Sequence, residues 1–358
     1  MTETGWRPVL RTVLLRSIIG RTTEQVSPDV RRGNGRSSVP GRICAWVLLA
    51  LVPAVAGAGN AALEDHLQVV RVDGSALQVH LQRPSTQGKV PLLVYIDGSL
   101  CIPSTDNQSV AWLQGRLQGE SPFALAVIEK PGPTSPPLNK DGDIEIGPDF
   151  KCSDEFRRYY TVEQRVLDHL RVLQHLNRNA PWWNGELLVW GFSDGGRIGA
   201  QLAAYYPQTR SVALVGFGGG SAMADSMEAM VCAGPEKRAE CQATTRAQMD
   251  EIRKAPVPAR DWMGESNTYA AWASRLDAVE ANVLRDLTAP LLVVHGERDG
   301  SVPVASARRL AERMQGSGVV FRYREVPGMR HSLWGTSTAN EAEALHQDIL
   351  AWLLGKQG

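Results

Sequence analysis

The sequence predicts an α/β protein built on a doubly wound, mostly parallel β-sheet that carries a helical insertion. Short apolar runs alternate with stretches of helical periodicity along most of the chain, which is typical of parallel strands joined by helices. One apolar run ends in a Gly-x-Ser-x-Gly turn and leads directly into a helix. The alternation stops over residues 221–287, which show no clear strand and which we interpret as a helical cap.

Length and composition leave most classes of globular protein open but exclude one. A chain of 358 residues with 43% hydrophobic residues can bury a large core, in one large domain or two smaller ones. The formal net charge is zero and the basic residues are scattered, which argues against a nucleic acid as partner. We expect residues 62–358 to form the folded domain. Its expected partner is a small-molecule or peptide substrate. The sequence does not indicate the oligomeric state.

Residues 1–61 predict an N-terminal extension followed by a signal peptide. An arginine-rich stretch precedes an apolar run over residues 43–57 and then the small residues Ala58-Gly59-Asn60-Ala61. This is the order of a secretory signal, and the apolar run is shorter than the ~20 residues of a membrane span. Residues 41–61 therefore predict a periplasmic or secreted protein, whose translation we expect to begin near Val39. The alternative is a membrane-anchored protein that retains the apolar segment. In that case we expect this segment to be the part of the chain that contacts the membrane.

Four cysteines follow the predicted signal, and an even number in an exported chain favours disulfides. Cys232 and Cys241 close a short polar loop, which favours a bond between them and leaves Cys101 for Cys152. Two other pairings stay open, because spacing alone does not exclude them. None of the spacings matches a zinc site, so we expect no metal.

Upstream of the Gly-x-Ser-x-Gly turn, each predicted element has its own signal. Alternating polarity around Asp73-Gly74 indicates a hairpin, continuous apolar runs indicate strands buried on both faces, and helical spacing indicates helices. A stretch rich in Pro, Gly and Asp over residues 131–158 predicts a long surface loop. The elements are hairpin strands over 67–72 and 77–81, a strand over 91–96, a helix over 109–117, a strand over 123–128 and a helix over 161–176.

Downstream of the turn, the same signals predict three more strands and two more helices. These are strands over 212–216, 290–295 and 319–323 and helices over 305–314 and 341–354. Within the insertion, Trp262, Tyr269 and Trp272 could line an apolar substrate pocket together with Leu100. The alternative is that the aromatic residues form the core of the insertion itself.

The segment Leu187–Gly196, LLVWGFSDGG, has the context of a nucleophile elbow, in which a serine occupies a strained turn between a strand and a helix. Gly191 and Gly195 have a reason to be glycine, because the turn brings backbone segments too close for a β-carbon. The alternative is a glycine-rich turn without chemistry. A serine nucleophile needs a base and an acid, and Asp299 and His331 follow late strands in the chain order Ser, Asp, His.

With these residues the chain resembles α/β-hydrolase-fold serine hydrolases, in the branch of serine aminopeptidases and of dienelactone-hydrolase and prolyl-oligopeptidase-type catalytic domains. The matching pieces are the motif GFSDGG around Ser193, the motif HGERD that ends at Asp299 with Pro303 following, and the motif GMRH that ends at His331. The resemblance spans roughly residues 90–355. It implies that Ser193 attacks the acyl carbon, that His331 is the general base and then the general acid, and that Asp299, rather than Glu297, orients His331.

The developing oxyanion needs two N–H donors. One is expected from the backbone of Asp194, directly after the nucleophile. The other is expected from the loop after the 91–96 strand, with Ser99 first and Leu100 next, although this loop departs from the family's common His-Gly pattern. A disulfide from Cys101 would hold that loop rigid.

The sequence thus predicts an exported serine hydrolase without a cofactor, which cleaves carboxylic esters, thioesters or amides through an acyl-enzyme. A serine peptidase or aminopeptidase of the same fold is the alternative, and Asp97, Asp194 and Glu265 are candidates to hold a substrate ammonium. A further alternative is a non-catalytic binding protein that retains the fold.

Overall fold

An eight-stranded β-sheet runs through the part of the chain that the computed structural model describes, residues 63–85, 88–117, 121–136, 150–234 and 237–356. The predicted extension and signal peptide lie outside these residues. Within them, no helix combines the length and the apolar character needed to cross a membrane. The strands in chain order are β1 (Leu63–Val70), β2 (Ala76–Arg83), β3 (Val90–Ile96), β4 (Ala124–Ile128), β5 (Trp183–Phe192), β6 (Thr209–Val215), β7 (Leu291–Gly296) and β8 (Phe321–Val326).

The sheet confirms the predicted fold class. Its strand order is β1-β2-β4-β3-β5-β6-β7-β8, and β2 pairs antiparallel with β1 and with β4 while the other neighbours pair parallel. The helices in chain order are α1 (Gln108–Gln114), α2 (Asp154–Tyr159), α3 (Val162–Asn179), α4 (Asp194–Tyr205), α5 (Met223–Val231), α6 (Arg238–Lys254), α7 (Tyr269–Ala273), α8 (Ala281–Leu284), α9 (Val304–Met314) and α10 (Ala339–Leu353).

Both faces of the sheet are buried, which explains the continuous apolar runs. Successive residues of β3 point to opposite faces, so that Leu92 and Val94 join one hydrophobic core while Leu93 and Tyr95 join the other. In a strand that is covered on one face only, every second side chain would instead be polar.

The register brings the carboxyl ends of the central strands to one edge of the sheet. Ile96 pairs with Gly191 and Phe192 pairs with Val215, so the loops that follow β3, β5 and β6 begin side by side. This edge is where open parallel sheets place their sites.

One predicted loop is partly helical. The C-terminal end of the region over residues 131–158 overlaps α2, where the Ser153 hydroxyl accepts a hydrogen bond from Phe156 N and the Phe156 side chain is fully buried. A six-residue helix is too short to show a helical period in the sequence, and for this reason the prediction was wrong there.

Residues 221–287, called the insertion below, contain α5 to α8 and lie between β6 and β7. The backbone of Asp261 forms an isolated antiparallel bridge with Thr268.

Candidate active site

The segment around Ser193 has the backbone strain of an elbow. Ser193 lies between β5 and α4 with φ 54° and ψ −122°, a conformation that residues with a side chain rarely adopt. Its amide donates to the Val215 carbonyl oxygen at 2.8 Å, which anchors the turn to β6. A β-carbon on Gly195 would lie 2.1 Å from the Ile96 carbonyl oxygen, and one on Gly191 would lie 2.5 Å from the Gly195 carbonyl oxygen. Glycine is therefore needed for close approach at both positions.

Ser193, His331 and Asp299 form one chain of hydrogen bonds. His331 Nε2 lies 2.9 Å from Ser193 Oγ, and His331 Nδ1 lies 2.8 Å from Asp299 Oδ2. An ionised carboxylate only accepts hydrogen bonds, so the proton of the neutral imidazole is on Nδ1. Nε2 is then free to accept from the hydroxyl of Ser193. This is the arrangement in which a histidine can remove the proton of a serine.

The Asp299 carboxylate is held in its ionised form. Its Oδ1 accepts the backbone N–H groups of Ser301 at 2.8 Å and Val302 at 2.9 Å. Burial raises the pKa of Asp299, but the interactions with His331, His295 and the Val302 N–H together outweigh burial, and the pKa is lowered from its usual value of 3.8. Glu297, the other acid in this turn, is exposed and accepts from the backbone N–H of Gly328 at 2.9 Å.

A second serine–histidine pair lies in the core and differs in one decisive respect. The Ser109 hydroxyl is 3.0 Å from His346 Nε2, and His346 Nδ1 donates to the Ala342 carbonyl oxygen at 2.7 Å. Both side chains are buried, and burial lowers the pKa of His346 from its usual value of 6.5. This pair has a backbone carbonyl where the first pair has a carboxylate.

The loop after β3 passes directly against Ser193. A β-carbon added to Gly98 would lie 3.1 Å from Ser193 Cβ and 3.5 Å from its Oγ. Ser99 and Leu100, the predicted second donor and its neighbour, follow at once and are half-buried. Asp194, the predicted first donor, is the first residue of α4.

Two disulfide-bonded cysteine pairs are present among the described residues. Cys101 is bonded to Cys152 with a Cα–Cα distance of 5.7 Å, and Cys232 is bonded to Cys241 with a Cα–Cα distance of 5.8 Å. The first bond ties the loop after β3 to the segment that leads into α2. Both distances are compatible with unstrained disulfides.

Two aromatic residues of the insertion, Tyr269 and Trp272, belong to its own core. This differs from the prediction that they line a substrate pocket. Tyr269 is 3% exposed and Trp272 is 5% exposed, and both belong to a hydrophobic cluster within the insertion. Their polar atoms are used locally, since the Trp272 indole N–H donates to the Trp262 carbonyl oxygen at 2.8 Å and the Tyr269 hydroxyl is 2.6 Å from Gln248 Nε2. Trp262 is half-buried at the edge of this cluster.

The three carboxylates considered for a substrate ammonium are already paired with cations of the protein. Asp97 Oδ2 lies 2.5 Å from Lys130 Nζ, and Asp194 Oδ2 lies 3.0 Å from Arg275 Nη1. Glu265 Oε1 lies 2.5 Å from Lys151 Nζ.

Several residues around the site were not predicted. Tyr160 and Arg275 hydrogen-bond to the Asp194 carboxylate, and Lys130 supports the loop after β3. Nothing in the sequence distinguishes these lysine and arginine side chains from the other members of the 38 in the chain. A cation becomes notable only when the fold buries it beside an acid.

Known proteins similar to this chain include a lipase, a peptidase and an esterase. The model of the prolyl oligopeptidase family matches residues 243–358, which include Asp299 and His331. The monoacylglycerol lipase of Mycolicibacterium smegmatis is 35% identical over 68 residues, a stretch that covers 19% of this chain and 22% of the lipase. The matched stretch thus spans only about a fifth of the length of that relative.

Solved structures share the fold at low sequence identity. A puromycin-hydrolyzing peptidase of Mycobacterium tuberculosis is 14% identical with a TM-score of 0.55, over 87% of this chain and 41% of the peptidase. Acetyl xylan esterase 1 of Thermoanaerobacterium sp. JW/SL YS485 is 15% identical with a TM-score of 0.51, over 82% of this chain and 84% of the esterase. At such identities the similarity establishes the α/β-hydrolase fold and leaves the substrate open.

Proposed function

We propose that this chain, a serine hydrolase of the α/β-hydrolase fold, cleaves carboxylic esters through an acyl-enzyme on Ser193. The observation that carries the proposal is the hydrogen-bond chain from Ser193 through His331 to Asp299, at 2.9 and 2.8 Å. These distances lie within the range that a nucleophile and its base require.

The proposed reaction has two steps that use the same groups. In the first, His331 Nε2 takes the hydroxyl proton as Ser193 Oγ attacks the ester carbonyl carbon, and the resulting imidazolium then protonates the departing alcohol. In the second, His331 takes a proton from water as the water oxygen attacks the acyl carbon. The proton returns to Ser193 Oγ as the carboxylic acid leaves. Asp299 stays ionised throughout and keeps the imidazole in its Nδ1–H tautomer.

In both steps the carbonyl oxygen becomes an oxyanion that backbone N–H groups stabilise. We assign one donor to the amide of Asp194 at the start of α4 and the other to the loop that follows Gly98, at Ser99 or Leu100. The close approach of Gly98 to Ser193 supports this loop as the second source, because its backbone borders the reacting hydroxyl.

An ester is favoured over an aminopeptidase substrate by the charges near the site. An aminopeptidase holds the substrate's ammonium with a carboxylate that is free to accept it. Asp97, Asp194 and Glu265 each have a cationic partner within 3.0 Å, so a substrate ammonium would have to displace it. The match to the prolyl oligopeptidase family and the likeness to a puromycin-hydrolyzing peptidase favour peptidase activity as the second candidate.

We further propose that the protein is exported, to the periplasm or the medium. The predicted signal over residues 41–61 and the two disulfides support this location, because cytosolic thiols are kept reduced. Sequencing the N-terminus of the mature protein tests it. A start at Gly59 or Ala62 is expected, and a mature chain that retains residues 41–57 would indicate a membrane anchor instead.

The catalytic proposal is tested with paired substrates and a serine-directed probe. We expect turnover of short p-nitrophenyl esters well above that of aminoacyl p-nitroanilides, and labelling of the wild type by a fluorophosphonate. Ser193→Ala should abolish both, whereas Ser109→Ala, which removes the hydroxyl of the buried serine–histidine pair, should leave labelling unchanged. Faster turnover of the anilides would select the peptidase, and labelling that persists in Ser193→Ala would disprove the assignment of the nucleophile.

A further inference from the structure

Behind Ser193 lies a buried cluster of charges that the proposed reaction does not use. Its centre is the side chain of Asp194, which is 6% exposed. The Tyr160 hydroxyl donates to Asp194 Oδ2 at 3.0 Å, and Arg275 Nη1 donates to the same oxygen at 3.0 Å. Arg197 Nε lies 3.6 Å from Asp194 Oδ1, and Arg197 also pairs with Glu280. The two carboxylates and two guanidiniums balance in charge.

The cluster keeps Asp194 ionised although it is buried. Burial raises the pKa of the Asp194 carboxyl, but the charges of Arg275 and Arg197, together with the hydrogen bonds from Tyr160 and Arg275, outweigh burial and lower the pKa below its usual value of 3.8. A buried carboxylate with this many partners is fixed in position, because any movement would cost it charge-assisted hydrogen bonds.

The Asp194 side chain ties the start of α4 to Tyr160 and Arg275. Ser193 forms no side-chain cap on α4, and the two residues after Asp194 are Gly195 and Gly196, which have no side chain. Between Ser193 and Arg197, side-chain anchoring of the backbone therefore comes from Asp194, in addition to the backbone hydrogen bond from Ser193 to Val215. The amide N–H of Asp194 is the donor that we assign to the oxyanion.

The two outer partners of Asp194 come from segments on separate parts of the chain. Tyr160 follows α2, in the segment that carries Cys152. Arg275 belongs to the insertion, where its Nη2 donates to Asn267 Oδ1 at 2.5 Å and its guanidinium lies 4.2 Å from the ring centroid of Trp272. Arg275 is thus held by the insertion and in turn holds Asp194.

We propose that the Asp194 carboxylate is a positioning group through which the insertion, by way of Arg275, aligns the backbone donor of the oxyanion hole. The inference rests on the proposed function, since it requires an oxyanion at Ser193. Loss of the contact should misplace the donor without removing it, and the penalty falls on the transition state, where the oxyanion forms.

The first experiment compares Asp194→Asn and Arg275→Gln on a short nitrophenyl ester. Deleting an oxyanion donor costs about 10²–10³ in kcat, so we expect a displaced donor to lower kcat at least about tenfold. KM should stay within about threefold, because ground-state contacts are kept. The matched control is Arg253→Gln, which breaks an exposed ion pair of the insertion with Asp277 and should leave both constants unchanged.

Coupling separates positioning from a general structural role. If Asp194 acts through Arg275, the double variant should be no slower than Asp194→Asn alone, and Arg275→Lys should recover part of kcat. If the charge variants fail to fold, Tyr160→Phe tests the positioning role of the Asp194 carboxylate, because it removes one hydrogen bond to that carboxylate and no charge. The same selective loss in kcat, of smaller size, is expected there.

The outcomes distinguish this inference from the proposed function. An active Ser193→Ala would overturn the proposed function. An inactive Ser193→Ala together with an Asp194→Asn or Tyr160→Phe variant of unchanged kcat would overturn the inference alone. Additive losses in the Asp194→Asn, Arg275→Gln double variant would also overturn it, because they would mean that the two side chains act independently.

Discussion

Replacement of Lys130 by methionine should both destabilise the protein and slow its catalysis. Lys130 Nζ lies 2.5 Å from Asp97 Oδ2 and 3.4 Å from the Gly98 carbonyl oxygen. The side chain of Lys130 is 1% exposed and that of Asp97 is 8% exposed. In Lys130→Met the Asp97 carboxylate keeps its hydrogen bond from the Asn107 amide, at 2.8 Å, but loses its counter-charge in a buried site. The loop that borders Ser193 then begins at an uncompensated charge.

The size of both effects follows from the burial. Breaking a buried ion pair by removing one partner costs about 3–5 kcal/mol, and we expect a loss of that order in the free energy of unfolding. Complete loss of an oxyanion donor costs about 10²–10³ in kcat, so displacement of the loop after Gly98 should cost about 10–100-fold. The double variant Asp97→Asn, Lys130→Met replaces both charges by neutral groups and should regain part of the stability.

Urea unfolding and steady-state ester hydrolysis measure the two effects. The control is Lys151→Met, because Lys151 is 64% exposed and its ion pair with Glu265 should contribute under about 1 kcal/mol. Lys130→Met would refute the reasoning if its unfolding free energy fell by no more than that of the control. A double variant as unstable as Lys130→Met would contradict the explanation by uncompensated charge.

Three further predictions concern the disulfide, the loop and pH. Replacing Cys101 and Cys152 by alanine removes a disulfide with a sequence separation of 51. The chain-entropy relation predicts that this lowers the free energy of unfolding by about 4 kcal/mol, and we expect kcat to fall as well because the bond ties down the loop after β3. Gly98→Ala should lower kcat about tenfold with little loss of stability, because the added methyl would lie 3.1 Å from Ser193 Cβ. Burial lowers the pKa of His169 to about 3 from 6.5, so the unfolded chain takes up a proton that the folded protein does not. Stability should therefore fall as the pH drops from 6.5 towards 3, by up to about 1.4 kcal/mol per pH unit, and His169→Gln should reduce this slope.

Each of these has a matched control in the chain. Opening the Cys232–Cys241 bridge, with a separation of 9, should cost about 2.6 kcal/mol and leave kcat unchanged. Gly88→Ala adds a methyl that contacts nothing within 4 Å, and His175→Gln changes a half-exposed histidine on α3. The disulfide is tested by unfolding and kinetics, Gly98→Ala by kinetics, and His169→Gln by the pH dependence of unfolding. A variant whose effect equals that of its control would contradict the prediction concerned.

Local patterns were sufficient for the strands and for the elbow. The apolar run of β3 predicts a strand buried on both faces because side chains alternate between two cores. The elbow is visible because close backbone approach demands glycine at fixed positions next to Ser193, such as Gly195. Pattern alone could not reveal α2, since its six residues are too few to show a period.

By itself, then, the sequence determined the fold class and the position of Asp299 and His331 in the turns that follow late strands. These depend on periodicity and on turns, which are properties of neighbouring residues. Only the tertiary structure decided that Tyr269 and Trp272 belong to the core of the insertion, and that Asp194 is held by Arg275, 81 positions away. The physical reason is that the partner of a buried charge is chosen by packing, which brings together side chains whose separation in the sequence carries no signal.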